Sequence, residues 1–337
     1  MDKYENVGIP LKLMHVLSGV HLSTLYKYAQ KEGIEPMESS SRRNVRYSID
    51  STRRLLRHFF SEKHKIDQSK KKIAGFHFKG GTGKSSISVE LAVMLSLLGY
   101  KVLLFDADQQ GHSSNTLGLD YSQNFYTFYD CIKNNLSLSD IIIHLYEGLS
   151  CVPANVSLAQ LDELLKEFPP ERRFKLLNES LKTVEDSYDF IIFDTAPSIT
   201  DLNRNVFYAC RLLNIVCDTQ PQSVQSLSHI WLYMKEFCEK EGVSPLEIMI
   251  LPNKYEERVA SSTETMAYLQ GSWGQYIIKN FAIRKSEDFP RAFLGQLPLA
   301  FFCKVNSIAF EDMAEVTRSL VQKCELNDTS PIMNLDQ

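Results

Sequence analysis

An α/β fold, built on a mostly parallel, doubly wound sheet with helices on both faces and preceded by a small basic head, is the architecture this sequence predicts. Three observations predict it. From about residue 72 onward, short apolar runs, three of which end in aspartate, alternate with helical segments. The stretch KGGTGKSS joins the first of these runs to the first of these helices. Charge is also divided unevenly. Residues 1–72 carry 15 Lys+Arg against 8 Asp+Glu, a net of +7, and the other 265 residues carry 22 against 33, a net of −11, which leaves −4 for the chain of 337.

Residues 10–34, PLKLMHVLSGVHLSTLYKYAQKEGI, read as two short helices around Ser18 and Gly19. Leu11, Leu13, Met14 and Leu17 can pack against Leu22, Leu25 and Tyr28. In a helix–turn–helix the start of the second helix enters a major groove, which makes Ser23, Thr24 and Lys27 the base- or phosphate-facing candidates. SSSRRNVRYS (39–48) follows as a polar, strand-prone piece whose Arg42, Arg43 and Arg46 suit a wing on backbone phosphates. IDSTRRLLRHFF (49–60) resumes helical spacing. A small helical dimerisation head with solvated arginines is the alternative. His15, His21, His58 and His64 lack metal-ligand spacing. The polar segment Ser61–Lys72 has no apolar period, so a head of residues 1–66, including a linker helix, and a body of 72–337 are expected.

In the body, IAGFHF (73–78) is a strand and SSISVELAVMLSLL (85–98) a helix with Ile87, Leu91, Met94, Leu95 and Leu98 on one face. Gly99 is placed to end that helix. KVLLFDAD (101–108), DFIIFD (189–194), LNIVCD (213–218) and LEIMIL (246–251) are further strands of the buried, parallel type.

Hydrophobic residues make up 44% and charged residues 23%, values of a soluble globular protein rather than a disordered or fibrous one. The seven cysteines include no C-x-x-C pair, which favours free thiols in a reducing compartment over disulfides or a metal site. The N-terminus has no apolar core for a signal peptide, and no segment holds about 18 consecutive apolar residues. A cytoplasmic protein is expected.

The glycine-rich stretch departs from the phosphate-binding pattern G-x-x-x-x-G-K-[ST] in having Phe78 where the first glycine belongs. It still lies between a strand and a helix. Gly80, Gly81 and Gly83 let successive N–H groups turn toward phosphate oxygens, with Thr82 among them and Ser85 and Ser86 opening the helix. Lys84 suits the outer phosphates and the Ser85 hydroxyl suits Mg²⁺. Asp194 ends its strand where a Walker-B carboxylate sits. Asp106 and Asp108 end theirs on the same side of the sheet, although one of the two could simply cap a loop.

KGGTGKSS, LLFDADQQG and DFIIFDTAPS, in that order, resemble the deviant Walker A ATPases, specifically ParA-type DNA partition ATPases, over about residues 72–325. The resemblance implies a P-loop NTPase fold, ATP and Mg²⁺ as cofactors, and weak ATP hydrolysis stimulated by DNA and by a ParB-like centromere-binding partner. It also implies a nucleotide-sandwich homodimer. In that family a lysine at the position of Lys79 reaches the partner's nucleotide, Asp108 orients the attacking water, and Asp106 supports the metal shell with Ser85 and Asp194. LPNKYEER (251–258) is similar to the family's adenine-side strand end, which implies that Asn253 lies near the base. IRKSEDFPRAFLGQLP (283–298) is similar to a late segment used in dimers and DNA contact, implying roles for Arg284, Lys285 and Arg291. Gln109 and Ala196 stand where the family commonly has proline. The head more loosely resembles the winged, MerR-like N-terminal domain of larger ParA and plasmid RepA partition proteins, implying operator binding and repression of the protein's own operon. The ATP-bound dimer of the body is expected to bind DNA without sequence preference and so to associate with the nucleoid.

Other classes compete. A MinD-like membrane-positioning ATPase should end in a basic amphipathic helix, but CELNDTSPIMNLDQ is acidic and interrupted by Pro331. An iron–sulfur reductase would need bracketing cysteines. An amide-forming ligase would leave a DNA-binding head idle. An ATP-sensing repressor without a transport role would keep every motif named above.

Overall fold

The protein is described by a computed structural model covering residues 3–38, 45–119, 123–278 and 281–325. Two short strands, β1 (Gly8–Pro10) and β2 (Arg46–Ser48), pair antiparallel with Ile9 opposite Tyr47. Helix Leu11–Ser18 ends at Gly19, whose φ of 72° turns the chain while its N–H returns to the His15 carbonyl. Helix Leu22–Lys31 starts on His21, whose ring accepts from the Ser23 N–H, and helix Ile49–Phe59 starts on Ser48, which accepts from Ser51. Leu13, Met14, Leu17 and Leu25 are buried together with Tyr47, Leu55 and Leu56, while Leu11, Leu22 and Tyr28 are only half-buried.

The body is a seven-stranded sheet. Its strands are β3 (Lys72–Phe76), β4 (Val102–Ala107), β5 (Ile143–Tyr146), β6 (Leu149–Val152), β7 (Phe190–Thr195), β8 (Leu212–Asp218) and β9 (Glu247–Asn253), in the order β5-β6-β4-β7-β3-β8-β9. Every neighbouring pair is parallel except the edge pair β5–β6. Side chains alternate strictly between two cores. Ile73, Val102, Leu104, Ile192 and Leu212 face one cluster, and Ala74, Leu103, Phe105, Ile191 and Leu213 face the other. The first is covered by helices Lys84–Leu97 and Ile308–Cys324, the second by Asp201–Ala209 and Pro221–Glu241. Gly75 in β3 lets helix Lys84–Leu97 come close, since a Cβ there would meet the Ser88 hydroxyl at 2.9 Å.

The head's apolar residues belong to the first of these clusters rather than to one of their own. The buried Arg53 guanidinium donates to the carbonyls of Tyr100 at 3.0 Å and of Ser96, at the end of the helix that follows the glycine loop. Arg318 reaches back to the carbonyls of Leu17, at 2.9 Å, and Val16, where helix Leu11–Ser18 ends. Tyr4 donates to the Leu117 carbonyl at 2.8 Å. The joining segment is pinned as well. Asp67 N–H donates to Cys324 O at 2.8 Å, and Lys71 Nζ donates to Glu185 O at 2.7 Å. Among the described residues no helix is long and apolar enough to cross a membrane. All seven cysteines are free and buried.

Candidate nucleotide site

Strand order places the site. β3 lies between β7 and β8, so the glycine loop at its C-terminal end is flanked by what those strands carry at theirs, Asp194 and Asp218. Phe78, at the position of the missing glycine, packs edge-on against Phe76 at 5.2 Å and Tyr233 at 6.1 Å, and so belongs to the core beneath the loop. Gly81 and Gly83 have φ of 75° and 100°, which no side-chain-bearing residue adopts cheaply. A Cβ on Gly83 would also drive into the Asn253 amide. That amide donates to the Thr82 carbonyl at 2.7 Å, so Asn253 braces the loop itself.

Lys84 is buried at the first turn of its helix, with Nζ 3.3 Å from the Lys79 carbonyl. Burial pushes its ammonium pKa down, and the charges of Asp194 and Asp108 push it back up. Ser86 is half-buried one residue beyond Ser85.

Asp106 and Asp194 are directly opposite each other on adjacent strands and are fully buried. Burial, and for Asp106 the neighbouring charge of Asp194, hold both above the usual carboxylate range. Their bonding differs. Asp106 is fully engaged, accepting from Asp108 N at 3.2 Å and from Ser114 N and Oγ at 2.9 and 2.7 Å. Asp194 Oδ2 accepts from Ser113 at 2.7 Å, the nearby Ser85 hydroxyl helps to lower the pKa of that carboxylate, and Oδ1 is buried with no protein partner. A free carboxylate oxygen beside a serine hydroxyl is an oxygen-rich corner that suits Mg²⁺ and its waters. The Thr82 hydroxyl is likewise buried without a partner. Asp108 orders its own turn by accepting from Gln110 N–H at 3.0 Å, with Gln109 exposed beside it. The Ala196 carbonyl is satisfied by Asn203 at 2.9 Å.

Lys79 turns away from Lys84. Its ammonium lies 3.2 Å from Asp218 Oδ2, and Asp218 also accepts from the Ser223 hydroxyl. Its backbone N–H donates at 3.0 Å to Nδ1 of His77, which fixes that ring's proton on Nε2, 3.1 Å from the Ser223 carbonyl. His77 is fully buried, and burial pushes its pKa down to about 4. Sequence reading missed His77, Asp218 and Lys254, whose ammonium donates to the Gly81 carbonyl. Asp218 did carry a signal, because it ends an apolar strand just as Asp194 does.

Of the residues with expected nucleic-acid contacts, Ser23, Thr24 and Lys27 are exposed on helix Leu22–Lys31, and Ser23 Oγ lies 2.8 Å from His21 Nδ1. Arg46 points back into the head and donates to the Gly8 carbonyl at 3.1 Å. Arg42 and Arg43 lie outside the described residues. In the body, Arg284 Nε donates to both oxygens of the buried Asp312 at 3.1 and 3.0 Å, Lys285 is 3.0 Å from Glu256, and Arg291 is 3.7 Å from Asp288. Among the described residues no cluster of His, Cys, Asp and Glu could hold a metal on its own.

The AAA_31 family, described as AAA domain, matches residues 70–248, more than half of the chain. The cell division protein PomZ of Myxococcus xanthus is 30% identical over 217 residues, which is 64% of this chain and 67% of that protein. A plasmid partition protein of Borrelia burgdorferi solved with AMPPNP superposes at a TM-score of 0.63 and 23% identity, covering 75% of this chain and 99% of its own. Cobyrinic acid a,c-diamide synthase of Mycobacterium smegmatis, solved with an ATP analogue and magnesium, superposes at 0.66 and 18% identity over 78% and 99%. The two solved structures share the fold, which serves a partition protein and a synthase alike. The loop, the in-register carboxylates and these matches together assign the chain to the AAA_31 family of ParA/MinD-type P-loop ATPases.

Proposed function

We propose that this protein is a DNA partition ATPase that binds ATP and Mg²⁺ in the glycine loop, hydrolyses ATP as a nucleotide-sandwich homodimer, and binds DNA in the cytoplasm on the nucleoid. In this reading the N–H groups of Gly80–Ser86 and the ammonium of Lys84 hold the phosphates, and Asn253 braces the loop near the base. Ser85 and Asp194 would hold Mg²⁺, with Asp106 fixing the turn behind them. When bound there, the metal would offset negative charge on the outer phosphates. Asp108 orients the attacking water, and Lys79 leaves Asp218 to reach the nucleotide of a second copy, a cation supplied in trans. The head acts as a winged helix–turn–helix that reads an operator through Ser23, Thr24 and Lys27, with Arg42, Arg43 and Arg46 on its wing. A ParB-like centromere-binding protein is the partner.

The observation that carries this reading is the divergence of two lysines on one loop: Lys84 is buried toward Asp194 and Asp108, while Lys79 leans out to Asp218. Lys84→Ala should therefore weaken ATP binding itself, and Lys79→Ala should leave binding intact while abolishing hydrolysis, measured by nucleotide titration and phosphate release. Equal loss of ATP affinity in both variants removes the cross-dimer role. A second reading, an ATP-sensing repressor without transport, is favoured by the ion-paired state of Arg284, Lys285 and Arg291 in the body.

A further inference from the structure

Lys254 follows Asn253 at the end of β9 with φ of 56°, in the left-handed region that residues with a Cβ avoid. That backbone is braced. Its N–H donates to Asn253 Oδ1 at 2.8 Å, and its carbonyl accepts from the Thr219 hydroxyl at 3.2 Å. Its side chain is exposed, enters no ion pair among the described residues, and donates to the Gly81 carbonyl. Asn253 holds the next carbonyl, that of Thr82, at 2.7 Å. A loop that turns its N–H groups inward to an anion must turn carbonyls outward, and each of those needs a partner. Two consecutive outward carbonyls are held here from one point on β9. Left-handed backbone of this kind persists only where its surroundings hold it, as the bonds with Asn253 Oδ1 and the Thr219 hydroxyl do here.

We propose that Lys254 is a positioning residue of the nucleotide site: its left-handed backbone aims the ammonium at the Gly81 carbonyl, which keeps the loop's N–H groups turned toward a polyphosphate. The proposal rests on the nucleotide-site reading and makes it more specific, because the ligand feature that Lys254 serves is the phosphate chain and not the base.

The test uses the full-length protein with Lys254→Met, Lys254→Gly and Lys254→Arg, and Lys240→Met as an exposed-lysine control. Amide hydrogen exchange over residues 80–85, without nucleotide, should quicken about tenfold in the Met and Gly variants, the size of a lost hydrogen bond to a charged group. The Arg and Lys240→Met variants should stay near the parent. The unfolding midpoint of Lys254→Gly should not fall, because glycine relieves the left-handed backbone, so faster exchange there cannot come from general destabilisation. Affinity for ATP and for inorganic tripolyphosphate, both with Mg²⁺, should drop by the same factor in Lys254→Met. Unchanged exchange with unchanged affinities overturns the proposal. So does a loss confined to ATP, which would place Lys254 on the base. If the parent binds neither ligand while exchange still responds, the nucleotide reading falls and the loop-holding role stands.

Discussion

Head and body both carry cations in places expected to meet DNA, and they carry them differently. On the head, Lys27 is exposed and enters no ion pair among the described residues. On the body, Arg284, Lys285 and Arg291 each face a carboxylate of their own chain. Net charge runs the same way, +7 over residues 1–72 and −11 over the rest. It does not decide each case, since Lys31 and Arg57 on the head face glutamates and Lys254 on the body enters no ion pair among the described residues. A count of lysines and arginines therefore says little about which are available to a phosphate. Availability also varies within the body. Lys285–Glu256 and Arg291–Asp288 are surface pairs worth about 0–1 kcal/mol and exchange readily for phosphate. Arg284 is bound to the buried Asp312, and removing its side chain would leave that carboxylate with only the backbone N–H of residue 284.

The contrast breaks first at Arg284. Arg284→Ala should destabilise the fold by about 1.5–3 kcal/mol, because the buried Asp312 keeps the backbone N–H of residue 284 but loses its charged donors, and denaturant unfolding reads it directly. A variant within about 0.5 kcal/mol of the parent would show that Arg284 is as free as Lys27 and return it to the DNA surface.

His77 sharpens the comparison, because it is a group whose positive charge the body denies altogether. Its folded pKa of about 4 lies below the usual 6.5, so between those values the unfolded chain binds more protons. Stability is then fully present above about pH 6.5 and is lost as pH falls toward 4, by on the order of 3 kcal/mol. His77→Asn should flatten that slope in unfolding curves taken across the window. An unchanged slope would assign it to other groups.

The smallest effects belong to the proposed DNA contacts. Lys27→Ala should weaken operator binding about tenfold and lower the salt slope by about one ion, as loss of one phosphate contact does. Lys285→Ala or Arg291→Ala should each change random-DNA binding by less than about threefold, because each cation trades one anion for another. If the body variants lost more than the head variant in titrations at matched salt, the comparison would be reversed.

Much of this was legible before any coordinates. The strands β3, β4, β7, β8 and β9 stood out because they are buried on both faces and read as unbroken apolar runs, all but β3 reaching an Asp or Asn at the C-terminal end. The β5–β6 pair did not, since four-residue strands with a half-exposed edge leave no period to read. The phosphate loop was legible because its glycines, lysine and serine are adjacent in the chain. The Lys79–Asp218 pair was not, because the partners meet only once β8 has been laid beside β3. The Arg284–Asp312 pair was hidden for a related reason, since Asp312 reaches it from helix Ile308–Cys324, 28 residues further along the chain. Local grammar survives in a sequence; the choice of ion-pair partner depends on strand order and helix docking.

Helix Leu11–Ser18 packs on helix Ile308–Cys324, and helix Ile49–Phe59 packs on helix Lys84–Leu97, within one apolar cluster. A domain on a flexible tether melts independently and gives its own heat-absorption peak. Here the apolar core of the head runs on into that of the body, so each loses a wall of its core when the two part. Calorimetry should therefore record one transition, with van't Hoff and calorimetric enthalpies in agreement. Cleavage of the chain between residues 61 and 71 should leave the two pieces associated until both unfold together.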